Sequence, residues 1–175
     1  MEVTAEHMSM LRKYLRSIYD VCEQRDAQGV EVEFCGARLT LRQLFEIEVT
    51  AYLLYLAAAD KIVSQEEIDF INELMGREYS LEECTKFVTS HQMQGDSFAK
   101  TTPLSFKLLS DTGLQGADGT DIADVLISFY DVLGYVISAS SEGLVPSEAE
   151  ARANYIYLLR GYKMLAGSEE EDAGK

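Results

Sequence analysis

Basic side chains are scarce in this chain of 175 residues: 15 lysines and arginines face 30 aspartates and glutamates, for a formal charge of -15. Over most of its surface such a molecule repels a phosphate backbone or an anionic bilayer, so nucleic acid is not an expected partner. Cysteine is sparse too. Cys22, Cys35 and Cys84 are odd in number and include no C-x-x-C pair, which argues against a disulfide framework or a thiolate zinc site and fits a reducing cytoplasm. Long apolar runs are missing: the longest, Ala51 to Ala59, is far below the roughly 20 residues of a spanning helix, so no membrane-spanning segment is expected. The first residues, MEVTAEHMSMLRKYLRS, mix charges into their apolar positions in the manner of a packed amphipathic helix, and no export signal is read there.

The usual carriers of catalysis are thin as well. His7 and His91 are the only imidazoles, and His91, in Ser90-His91-Gln92, reads as a solvated or capping residue. Ser97-Phe-Ala-Lys100 matches S-x-x-K, but the accompanying S-D-N is absent and so short a pattern arises readily by chance. No glycine-rich loop follows a strand, so no phosphate cradle is indicated. The chain is not expected to be an enzyme.

What is present is a core. At 47% hydrophobic content the length suits one domain that folds without staples. Met8, Leu11, Leu15, Ile18, Tyr19 and Cys22 recur at three and four residues and predict a helix from Thr4 to about Ala27. Val30, Val32 and Phe34 then alternate with Glu31 and Glu33 before Cys35-Gly36, which predicts a small β-hairpin near 30–39. Thr40 and Gln43 have the spacing of a capping box, in which the hydroxyl accepts from a backbone N–H and the longer side chain reaches back; a helix to about Ala59 follows, apolar nearly all round and therefore central. The same start signal returns at Ser64 and Glu67, at Ser80 and Glu83, and at Ser147 and Glu150. Pro103 opens a short helix over Leu104 to Leu109, and Asp121 to Ala139 is strongly apolar. Tyr52, Tyr55, Phe70, Phe129, Tyr130, Tyr135, Tyr155 and Tyr157, at helical spacings among aliphatics, read as core.

YLLYLAAADKIVSQEEIDFI and YDVLGYVISASSEGLVPSEAEARANYI share a plan: apolar helix, small residues, an acid, a tight loop with Val, Ser, acids, a second helix. This reads as an internal duplication whose register stays open, because Asp60 precedes Ser64 by four positions and Glu142 precedes Ser147 by five. Hard cations take clustered oxygens, and Asp60 at a helix end with Glu67 in the next first turn can supply some. The loop is no EF-hand, since Ile62 and Ser64 fall where that pattern needs acids or amides. Capping alone also accounts for Glu67, and acids in a first turn suit the helix dipole.

At Ala59, Asp60, Val63, Ser64 and Glu67 the chain resembles the tellurite-resistance TerB-like family, from about Thr40 to Leu165. The resemblance implies an all-α single domain of about seven helices in two pseudo-symmetric helical-hairpin halves, linked to stress responses. It implies a divalent cation, calcium or magnesium, at acidic loops: Asp60 and Glu67 from the first half, Glu142 with Glu148 or Glu150 from the second. Lys61 stands where that family usually has Gly, while Gly143 keeps it and Glu142 replaces its Asp. The domain is expected over 1–166, with a disordered acidic tail over 167–175. Other proteins are the expected partners.

Overall fold

Leu11, Leu15, Ile18 and Cys22, four of the six repeating apolar positions of the first segment, are buried along one face of α1 (Ala5–Ala27), and the other two, Met8 and Tyr19, are half-buried against the core. The computed structural model of the chain describes residues 5–57, 59, 63–90, 100–116, 118–140 and 146–173, the side chains of 90, 140 and 167–173 excepted. Among them are seven helices and one two-stranded antiparallel sheet, forming a mostly helical single domain. Strands β1 (Glu31–Phe34) and β2 (Ala37–Thr40) pair with Val32 opposite Leu39. Cys35 (φ 51°) and Gly36 (φ 79°) join them. Positive φ at both central positions is the signature of a type I′ turn, whose twist matches that of the strands.

The Thr40 box closes as expected. The Gln43 N–H donates to Thr40 Oγ1 at 3.2 Å and the Thr40 N–H to Gln43 Oε1 at 3.0 Å. Asp26, at the end of α1, adds acceptors for the N–H groups of Leu41 (2.7 Å) and Arg42 (3.3 Å). Helix α2 (Leu41–Ala57) follows, and every residue from Tyr52 to Ala57 is buried, so its second half is surrounded by other helices. Next come α3 (Gln65–Met75) and α4 (Leu81–Ser90), joined by a loop that the Asn72 amide of α3 holds, donating to the Tyr79 carbonyl and accepting from its N–H, both at 2.8 Å. The Ser80 box also closes: the Glu83 N–H donates to Ser80 Oγ at 3.2 Å, and the Ser80 N–H to Glu83 Oε2 at 2.9 Å.

Pro103 stands just outside α5 (Leu104–Ser110), with ψ 139°, and is not its first helical residue. Proline has no side-chain acceptor, and Glu48 of α2 supplies the cap. Its carboxylate accepts from the N–H groups of Leu104 (2.7 Å) and Ser105 (2.9 Å) and from the Ser105 hydroxyl. Burial raises the Glu48 pKa, with these hydrogen bonds pulling the other way.

Helix α6 (Ile122–Ser140) starts on Asp121, which accepts from the Ala123 N–H at 2.8 Å. Its segment Ile122–Ala139 is long and apolar enough to cross a bilayer, yet 67% of it is buried inside the molecule, as befits a core helix. Helix α7 (Pro146–Ala173) begins one residue earlier than its serine signal, at Pro146. Proline's fixed φ and missing N–H suit the first helical position, which puts Ser147 inside the first turn. The helix also continues past the expected boundary at 167, through Ser-Glu-Glu-Glu-Asp-Ala to residue 173. Extending a formed helix needs no new nucleus, and Glu and Ala are good helix formers.

Tyrosines join the three central helices. Tyr52 of α2 and Tyr155 of α7 stack at 4.4 Å, and Tyr130 of α6 meets both edge-on at 5.1 and 5.4 Å; all three are fully buried. The Tyr52 hydroxyl donates to the Tyr130 carbonyl at 3.1 Å. Gly134 makes room for it, since a Cβ there would lie 2.3 Å from that hydroxyl. Tyr55, Phe70 and Phe129 are core as expected, and Tyr135 is half-buried beside His7 at 5.8 Å between ring centroids. Tyr157 is not core but 81% exposed. It lies two residues past Tyr155, and at about 100° per residue that carries it to the outer side of α7.

Candidate functional site

The first turn of α3 is built around two residues. Ser64, in extended backbone, accepts from the Glu67 N–H at 3.2 Å, while its own N–H and hydroxyl donate to Glu67 Oε2 at 2.7 and 2.9 Å. Glu67 is 2% exposed. Withdrawing a carboxylate this far from water is costly without donors or a cation, and the box provides donors. Glu148 is 1% exposed and is the third residue of α7, as Glu67 is the third of α3. Glu150, two residues further, is exposed.

Asp60 and Glu142, with Lys61 and Gly143, lie outside the described residues, as do His91 and Ser97 of the catalytic patterns. Of the five expected cation ligands, the structure therefore describes Glu67 and Glu148 as buried and Glu150 as a surface residue. Among the described residues, no group of three or more His, Cys, Asp or Glu is arranged to hold a metal ion.

All three cysteines are free. Burial pushes the Cys22 thiol up to about 12 and raises that of Cys84, so both are neutral near pH 7. Cys35 is exposed at the hairpin turn.

Two surface features went unread in the sequence. One is an apolar groove of about 340 Å³ between α2 and α4, lined by Ile47, Thr50, Ala51, Leu54, Cys84 and Phe87 with Tyr79 and Glu83. The signal was there: Ile47 and Ala51, four residues apart, stand outside the Phe45, Val49 and Tyr52 series that fills the core, and the buried Leu54 continues their line. The other is the outer face of α7, where Met164 (77%) and Leu165 (70%) join Tyr157 in exposure. A more basic notch on α1, with Arg12, Lys13 and Arg16, is partly neutralised: Asp20 and Asp118 share it and Arg12 is paired with Glu73 at 2.8 Å. No family model, curated protein or solved structure matches the chain.

Proposed function

We propose that the chain is a cytoplasmic, non-enzymatic helical module of the tellurite-resistance TerB-like kind. In this reading two pseudo-symmetric hairpins, α2 with α3 and α6 with α7, hold a divalent cation, calcium or magnesium, at their acidic interhelical loops and present an acidic surface to other proteins. One observation carries it: a buried carboxylate recurs at the same place in the two hairpins. Helix α6 starts 81 residues after α2 (Ile122 against Leu41), and α7 starts 81 after α3 (Pro146 against Gln65). In that register Glu67 pairs with Glu148, Leu41 with Ile122, Phe45 with Leu126, Phe70 with Ala151 and Leu74 with Tyr155, and both members of every pair are buried. This register favours Glu148 over Glu150 as the second half's ligand, and it sets Asp60 opposite Ser141 and Glu142 opposite Lys61, so it supports the buried pair and not a matching pair of loop acids. A cation beside withdrawn carboxylates offsets their lost hydration. The exposed thiol of Cys35 suits a reducing compartment.

A second reading is a metal-free interaction or scaffold domain, and the Ser64 box favours it by giving Glu67 hydrogen-bond donors without an ion. Thermal melts with and without calcium or magnesium, at matched ionic strength, separate the two. A cation that prefers the folded state stabilises it by mass action, by about 2.7 kcal/mol at a hundredfold excess over Kd. The combined Asp60→Asn and Glu67→Gln change is expected to abolish the rise, and Glu150→Gln to leave it intact. If neither ion shifts the wild-type melt, the scaffold reading holds.

A further inference from the structure

We infer that the groove between α2 and α4 is a docking site for an amphipathic helix of a partner protein whose apolar ridge is flanked by lysine or arginine. Ile47, Thr50, Ala51 and Leu54 stand at i, i+3, i+4 and i+7 and form one stripe along α2; Cys84 and Phe87, one turn apart on α4, form the facing wall. An elongated apolar trough of this kind takes the apolar face of an amphipathic helix, whose own anchors stand at i, i+3, i+4 and i+7. Ile47 is 45% and Phe87 38% exposed, high values for large apolar side chains that share one groove.

Thr50 and one oxygen of Glu83 are turned to partners on their own segments. Thr50 Oγ1 donates to the Glu46 carbonyl at 2.9 Å, and Glu83 Oε2 accepts from the Ser80 N–H at 2.9 Å and the Ser80 hydroxyl at 2.8 Å. Burial keeps the Cys84 thiol neutral. The walls therefore offer apolar contact. At about 340 Å³ the groove is near the lower limit of ligand pockets, about 300 Å³, and it is open on one side. A free apolar molecule would stay half wetted there, whereas a helix covers the opening with its own backbone and flanks.

Charge selects the flanks. The rim's cations are engaged: Arg77 holds Glu46 at 2.7 Å and Lys86 holds Glu82 at 2.6 Å. Glu83, which lines the groove, makes no ion pair among the described residues and adds its negative charge to that of a chain of formal charge -15. Basic flanks on the incoming helix match that rim, and acidic flanks are repelled.

The inference rests on the protein-binding half of the function proposed above and is independent of the cation. Its test is fluorescence anisotropy of a labelled peptide of about five helical turns, with Leu at the i, i+3, i+4 and i+7 positions and Lys elsewhere, titrated with the full chain at roughly 0.15 M salt. Saturable binding is expected, weakened about tenfold or more by Ile47→Asp and by Phe87→Asp and unchanged by Tyr157→Asp on α7. Both groove variants add negative charge, so capture by charge alone would tighten instead. Equal binding of a scrambled peptide of the same composition, equal binding of a Glu-for-Lys peptide, or groove variants that bind like the wild type each overturn the proposal. Melting curves verify folding; if Phe87→Asp fails to fold, the more exposed Ile47→Asp carries the test. An absent peptide signal alongside an intact calcium or magnesium shift removes this proposal and leaves the cation reading standing, and the converse pattern does the reverse.

Discussion

Gly134 shows how one missing methyl group sets the distance between two helices. A Cβ at this position would meet the Tyr52 hydroxyl at 2.3 Å and Arg152 Cγ at 2.8 Å. The arginine can swing aside. The tyrosine is held between Tyr130 and Tyr155 and tied by its hydroxyl to the Tyr130 carbonyl. Alanine is the better helix former by about 1 kcal/mol, but overpacking a closed core costs about 1–3 kcal/mol, so steric conflict should win. Gly134→Ala is expected to lower the urea midpoint at unchanged slope, and Tyr52→Phe to restore part of the loss, because the two changes share one contact. An unchanged midpoint would mean that α6 can move off α2 freely. Residue by residue, burial was legible where periodicity spoke: Leu11, Leu15, Ile18, Tyr52 and Tyr130 were all read as inward-facing and are. Tyr157 misled because an aromatic among aliphatics looks like core until the helical phase is counted from Tyr155.

At the scale of elements, what could be read was local. The boxes at Thr40, Ser64 and Ser80 need partners only three residues apart, and each forms as its spacing implied. Asp26 and Glu48 cap helices 15 and 56 residues away, so no window along the chain could reveal them. The start of α7 went to Pro146 because the proline ring outweighs a serine signal one position later. The box at Ser80 makes the start of α4 sensitive to acid. Hydrogen bonds from the Ser80 backbone and hydroxyl hold the Glu83 pKa below its ordinary value. A carboxyl group whose folded pKa is depressed contributes stability above its unfolded value, about 4.5, and loses it as pH falls through the folded value. Ser80→Ala is expected to return Glu83 toward the ordinary range in an NMR titration and to lower the melting temperature near pH 7 more than near pH 3. An unmoved Glu83 titration would detach the shift from the cap.

For the whole molecule, charge is the dominant quantity. Surface pairs such as Arg12 with Glu73 and Lys86 with Glu82 have side chains 58–62% and 74–77% exposed, and pairs so wet contribute little. Self-repulsion from a net charge of -15 acts on the entire fold. Sodium chloride added up to roughly physiological strength is therefore expected to raise the melting temperature, through screening alone. A fall instead would show that the ion pairs outweigh the repulsion. The candidate cation site was legible only in part. Glu67 could be read as a cap, whereas the burial of Glu148 depends on where α7 begins, a matter of packing and proline geometry that motif spacing does not carry. The meeting of Tyr52, Tyr130 and Tyr155 has an optical consequence. The chain contains no tryptophan, so its near-ultraviolet spectrum comes chiefly from tyrosine. Phenol rings locked together at 4.4 to 5.4 Å form a coupled, chiral chromophore. Circular dichroism in that band thus reports, without any label, whether α2, α6 and α7 are still joined.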